Sequence, residues 1–211
     1  MRRIAHALMG MIDNDQDGQP DDASLWKKWK EKVTDKNRLV LYVTQHKAKY
    51  KSFDNAHPSI YHQGWCSIRD GRELHLSNIQ EELFHFLQRH FWEIQYADTF
   101  GLDRNPRSIA HHAAEKAVKN KHYVYDQDCI SHSGCLVPEF FFCVMTDVMK
   151  GWEGEGFEAP GQREWRLKAN HDAIRKNFPD MTEMIQTMQK QGQLPRKWPS
   201  FFLNTSATKD N

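Results

Sequence analysis

Apolar positions along this chain recur mainly at helical spacing, with short runs at strand spacing between them. Residues 2–12 read as a helix that enters a polar loop at 13–22. Ser24 is the expected N-cap of a helix through Val33, with Leu25, Trp26, Trp29 and Val33 on one side. Arg38 to Thr44 is aliphatic and β-branched and predicts a buried strand, whereas 45–70 is polar and broken by His57-Pro58 and Gly64. Glu73 to Leu76 predicts a second short strand. Ser77 and Gln80 form a capping-box pattern that opens a helix to about Tyr96. Further helices are expected from Ser108 to Val118, from Pro138 to about Lys150, over 163–177, and over 180–191 with Asp180 as cap. The predicted fold is α+β, mainly helical, with a small β-sheet in a single domain spanning 1–211. Within it, 1–35 forms a helical hairpin around the polar loop, 36–150 the core, and 151–211 the C-terminal helices and tail.

Composition narrows the partners. Of 211 residues, 29 are basic and 28 acidic, which gives a formal charge of +1 and argues against nucleic acid as the main partner. Lys27, Lys28, Lys30 and Lys32 alternate with Trp26, Trp29 and Glu31, as on the solvated face of an amphipathic helix. No stretch approaches the roughly 18–20 apolar residues of a membrane span. The start, Met1-Arg2-Arg3, resembles that of a signal peptide, but the apolar part is short and runs into the acidic loop, so it reads as a structural helix. Cys66, Cys129, Cys135 and Cys143 fit neither a zinc knuckle nor a CxxC redox pair. Cys129 and Cys135 bracket a turn-rich stretch and could close a disulfide loop, which leans towards a secreted protein.

The loop Asp13-Asn14-Asp15-Gln16-Asp17-Gly18-Gln19-Pro20-Asp21 places acidic oxygens at positions 1, 3, 5 and 9 and glycine at 6. Calcium takes six to eight oxygens, and this spacing wraps a loop so that alternate side chains converge on it. Asp13, Asp15, Asp17, the carbonyl of Gln19 and Asp21 are the expected Ca2+ ligands. These residues resemble the calcium loops of EF-hands, dockerins and thrombospondin-type repeats. Position 12 is Ser24 rather than the bidentate glutamate, so the resemblance implies a structural ion and not an opening switch.

On the helix beginning at Ser77, Glu81, Glu82 and His85 share one face, and Ile79, Leu83, Phe86, Leu87 and Ile94 form an apolar stripe. Residues four apart stack one turn above the other. Glu81-Glu82-Leu83-Phe84-His85 resembles the HExxH motif of zinc peptidases, with glutamate in place of the first histidine. The resemblance implies His85 and Glu81 as metal ligands and Glu82 as the general base. In the gluzincin branch the third ligand is a glutamate on a later helix, and Glu139 is the candidate by position. Cys143 stands where that branch often has an aspartate, and Asp147 is the next acid along the same face. The order of aspartate-rich loop, EExxH and cysteine-flanked Glu-aromatic helix is similar to a poorly characterised group of exported zincin-like proteins.

The expected activity is that of a zinc-dependent hydrolase of peptidase type, acting on an unidentified peptide or small molecule. A silent, calcium-stabilised exported binding protein is one alternative. Glu82-x-x-His85 is also the unit of carboxylate-bridged di-iron bundles, with Asp54-x-x-His57 or His112-x-x-Glu115 as imperfect partners, so a metal-dependent oxidoreductase is another. A phenol or imidazole near the site could stabilise developing oxyanion charge; Tyr125 is the expected one, with Tyr123 and His132 also in range. No GxSxG, P-loop or dinucleotide fingerprint occurs.

Overall fold

Aromatic side chains crowd two helices, Leu76–Leu87 and Ser133–Val148, and their mutual packing organises the molecule. Phe84 sits 5.3 Å from Phe141 and 5.8 Å from Phe142, centroid to centroid, with Trp92 and Trp198 closing around it. Tilted and edge-on contacts of this kind add about 0.5–1.5 kcal/mol each beyond area burial. The computed structural model describes residues 8–32, 39–44, 61–67, 76–102, 107–125, 127–150, 164–167 and 170–198. Across them, buried apolar side chains from Met11 to Trp198 form one cluster.

The α+β expectation, with a small sheet of zincin type, is overturned. The described residues are mainly helical. Among the described residues, strands are formed by Leu39–Thr44 and Tyr61–Ser67, which pair in parallel with an irregularity between Val40 and Tyr42. Two strands make no layer on which helices could be arranged, and a pair of this size is marginal by itself. A zincin fold is not shown. The second strand also lies elsewhere than expected: it falls in the stretch read as irregular. Leu76 instead opens a helix, and 73–75 lie outside the described residues.

Helix boundaries moved for local reasons. The helix after the acidic loop runs Ala23–Lys32, and its cap is Asp22, whose carboxylate accepts from the Leu25 amide at 2.9 Å and from the Ser24 hydroxyl. Ser77 falls one residue inside the Leu76–Leu87 helix. That helix then widens to π geometry over Gln88–Trp92 before resuming at Glu93–Gln95. The extra residue in that turn lets Gln88, His90, Phe91 and Trp92 all be buried, and such bulges are frequent at functional sites. The helix expected from about Ser108 runs Ile109–Lys119, and the Ser108 hydroxyl caps it by accepting from the His111 amide.

Pro138 does not open its helix: the helix starts at Ser133, and Pro138 and Glu139 lie in its second turn. The Cys129–Cys135 disulfide fastens the Gln127–Ile130 turn to that start, and Arg89 donates to the Gly134 carbonyl at 2.5 Å. Residues 164–167 are not helical; the next helix, His171–Asn177, is capped by Asn170, which accepts from the Ala173 amide. In Pro179–Lys190 the proline takes the first turn, so Asp180 lies inside it rather than at the cap. Among the described residues, no helix is long and apolar enough to cross a membrane.

Candidate metal centre

Glu81 and His85 are one turn apart on the Leu76–Leu87 helix, and Glu139 faces them from the Ser133–Val148 helix. One ligand atom from each lies within 4.8 Å of the others. His85 Nδ1 and Glu139 Oε1 are 3.9 Å apart. Ligand atoms that each stand 2.0–2.2 Å from one ion lie at most about 4.4 Å apart, so the group needs little contraction to hold one. The packing of Phe84 on Phe141 and Phe142 brings the two helices to this distance.

The electrostatics suit a bound cation. Burial, then repulsion from Glu139, pushes the Glu81 carboxyl up to about 8, and His85 only partly offsets this. Glu81 and Glu139 also hydrogen-bond to each other, which two carboxyl groups can do only while one keeps its proton. Burial lowers the pKa of His85, with Glu81 acting the other way and Arg89 adding to the lowering, so the ring is held neutral as a metal ligand must be. The Pro138 backbone hydrogen-bonds this ring, and as proline has no N–H the carbonyl is the acceptor. His85 Nε2 is buried and has no hydrogen-bond partner among the described residues. A neutral imidazole with an orphaned nitrogen beside two carboxyl groups suits a borderline divalent ion such as zinc.

Glu82 lies in the same helix, but its side chain is outside the described residues, as are Asp54 and His57. Tyr125 is half-buried, whereas Tyr123 is buried. Tyr123 is 1% exposed, its hydroxyl has no hydrogen-bond partner among the described residues, and burial followed by the charges of Cys143, Glu139 and Glu164 raises its pKa. His132 and His112 are exposed. His111 approaches Glu115 at 3.8 Å, and Arg107 pairs with that same carboxylate, away from Glu81 and Glu139. Asp147 is fully buried but accepts from the Trp165 indole instead of joining the group.

Sequence reading missed Glu164, which it placed in a helix. Burial, then Glu139 and Glu81, raise its carboxyl to about 8, although it stands outside the group that Glu81, His85 and Glu139 form. Only the run Glu164-Trp165 beside an otherwise polar stretch hinted at an anchored segment. Cys143, one turn beyond Glu139, is a buried free thiol with its pKa raised by burial and by those same acids.

The acidic loop forms a second cluster. Ligand oxygens of Asp13, Asp15 and Asp21 converge within 4.8 Å, while Asp17 and Gln19 are exposed and stand outside that group. Asp13 accepts from the Asp17 and Gly18 amides at 3.2 and 3.0 Å, and Asp21 from the Asn14 amide and side chain at 2.9 Å. Gly18 has φ of +87°, which explains glycine at that turn. Asp17 accepts from the Gln19 amide at 2.7 Å. The loop is fastened to the rest of the chain by the Arg196 amide, which donates to Asn14, and by the Tyr96 hydroxyl, which donates to Asp22. Comparison of the chain with protein-family models, with curated proteins and with solved structures finds no match.

Proposed function

We propose that this protein is a metal-dependent hydrolase whose divalent ion, zinc or a close relative, is held by Glu81, His85 and Glu139. The observation that carries this reading is the convergence of one ligand atom from each of those three side chains within 4.8 Å, with the His85 imidazole buried. The ion would supply Lewis acidity and lower the pKa of a water bound to it. The chain supplies the rest: Glu139 and Glu81 carry the compensating charge, the Pro138 carbonyl fixes the imidazole, and Glu82, between the two ligands of its helix, takes the proton from water. Peptide-bond hydrolysis is the reaction class that this ligand spacing favours. Tyr123, in place of Tyr125, is the phenol we assign to stabilising developing negative charge.

We further propose that the 13–22 loop holds a structural Ca2+ on Asp13, Asp15 and Asp21, completed by Asp17 and the Gln19 carbonyl once an ion draws them in. The Cys129–Cys135 disulfide supports placing the protein in an oxidising, extracellular compartment. Metal analysis of the purified chain, followed by hydrolysis assays on a peptide library, is the test. Stoichiometric zinc with activity lost in Glu82→Gln is expected; zinc present and Glu82→Gln fully active would rule out the hydrolytic mechanism. Iron in place of zinc, with no hydrolysis, would favour the oxidoreductase reading that a carboxylate-rich donor set also permits.

A further inference from the structure

Pro138 lies inside the Ser133–Val148 helix, one residue before Glu139. In an α-helix each carbonyl accepts from the amide four residues on, and proline has no N–H to donate. The carbonyl that Pro138 leaves open is that of Gly134. Arg89 takes it: the guanidinium donates to the Gly134 oxygen at 2.5 Å. A Cβ at residue 134 would stand 3.4 Å from Arg89 Nη2, so the guanidinium lies against the helix backbone itself. The Cys129–Cys135 disulfide holds the next residue. There the helix begins, with the Cys135 and Leu136 amides both donating to the His132 carbonyl at 2.9 Å.

This bond joins the two elements that carry the metal ligands. Arg89 follows His85 by four residues, at the start of the π segment Gln88–Trp92, and Gly134 precedes Glu139 by five. From Phe84 through His85 to Arg89, the partners run from Phe141 and Phe142 through Glu139 to Gly134, so the two elements pass in opposite directions. His85 and Glu139 therefore stand between two ties, aromatic packing on one side and the Arg89–Gly134 bond on the other. Ligand atoms must fall within about 0.2 Å of their ideal distances from an ion, so the register of the two elements decides whether both can bind it. Charge gives no reason for an arginine here, because a guanidinium close enough to lower the pKa of His85 also repels a cation.

We propose that Arg89 is a positioning residue of the metal centre: by donating to the Gly134 carbonyl that Pro138 leaves open, it holds the Glu139 helix in register with His85. The proposal rests on the reading of Glu81, His85 and Glu139 as a metal site. It gives a use to a proline inside a helix, where that residue is ordinarily unfavourable, and it makes the disulfide a brace for the acceptor.

The test uses the full chain, stripped with a chelator and titrated with Zn2+ and with Co2+, whose visible bands report ligand number and geometry. The wild type is expected to take one ion per chain. Arg89→Met removes the donor and keeps an apolar stem; it should weaken Zn2+ binding at least about tenfold, as loss of an outer partner does, and shift the Co2+ bands. Loss of a nearby positive charge by itself would strengthen binding, so the sign separates positioning from charge. The control Lys116→Met removes a similar bond elsewhere, from Lys116 Nζ to the Asn177 carbonyl at 2.5 Å, and should match the wild type in both readouts. Unchanged or tightened Zn2+ affinity in Arg89→Met overturns the proposal, and so do Co2+ bands identical to wild type, whatever the melting temperature. If Arg89→Met loses its helical circular dichroism, Cys129→Ser with Cys135→Ser carries the test, since it changes no charge and releases the turn that holds Gly134. Weaker Zn2+ binding and shifted bands are then expected, and a wild-type value of either overturns the proposal. A wild type that binds neither ion overturns the metal-site reading itself, an outcome separate from any behaviour of Arg89.

Discussion

Two acidic clusters in this chain are built in opposite ways. In the 13–22 loop, neighbours in sequence converge near the surface, and backbone amides satisfy their oxygens at 2.7–3.2 Å. At Glu81, His85 and Glu139, partners more than fifty residues apart meet among aromatic side chains, one carboxyl must share a proton with another, and an imidazole nitrogen is left without a partner. The first cluster can exist without an ion at little cost, because amides and water neutralise it. The second holds a debt of uncompensated polarity, which a cation would cancel. Local backbone geometry makes an acidic loop tolerable; long-range packing makes an acidic site demanding.

The sharpest way to break this contrast is His85→Ala. It should lower transition-metal affinity by more than the roughly 100-fold that an outer partner costs, leaving calcium binding unchanged, as read by chelator competition and elemental analysis. If both ions are retained, the two clusters do not differ as described. Next in size is calcium itself. At a hundredfold excess over Kd, Ca2+ should stabilise the wild type by about 2.7 kcal/mol, and Asp13→Asn with Asp15→Asn should abolish that gain while Zn2+ affinity stays constant. A melting temperature indifferent to calcium would remove the structural ion from the account.

A smaller effect follows from the raised carboxyl of Glu81. Its folded-state pKa is about 8 against an ordinary 4.5, so between those values the folded protein binds the proton more tightly than the unfolded chain does. Stability of the metal-free protein should therefore be greatest near pH 4.5 as far as this group is concerned, and fall as pH rises to about 8. Glu81→Gln should flatten that slope in thermal melts across the range, and added Zn2+ should oppose it. A slope unaltered by Glu81→Gln would show that the carboxyl is not buried as described. The smallest change is Tyr96→Phe, which removes the hydroxyl bound to Asp22 and should cost about 1 kcal/mol in denaturant melts. Its effect belongs to the loop and should leave transition-metal affinity untouched.

Much of the site was legible in the residues. The i, i+4 pair Glu81 and His85 follows from helix geometry, and Glu139 stood out as a carboxylate among Phe140, Phe141 and Phe142. Gly18 and the spacing of Asp13, Asp15 and Asp21 gave the loop its form before any coordinates. Three things were not legible. Pro138 looked like a helix opener because a first-turn proline usually is, yet the disulfide and the Arg89 contact carry the helix back to Ser133. The second strand at Tyr61–Ser67 has no alternation strong enough to outweigh its Gly64. Tyr125 looked equivalent to Tyr123 because their difference is burial, which depends on Phe140 and Trp165.

What the sequence determined by itself is therefore whatever depends on neighbours within one turn or one loop: the acidic loop, the helix that starts at about Ser108, and the ligand pair on one helix face. Those features follow from backbone geometry and short-range hydrogen bonding, which act over a few residues. Tertiary structure alone decided which carboxylates share one environment. Glu164 lies 25 residues beyond Glu139 and 83 beyond Glu81. The bridge at Tyr123, the Trp165–Asp147 bond and the aromatic core hold its segment against the Ser133–Val148 helix, through contacts between segments that no local periodicity encodes.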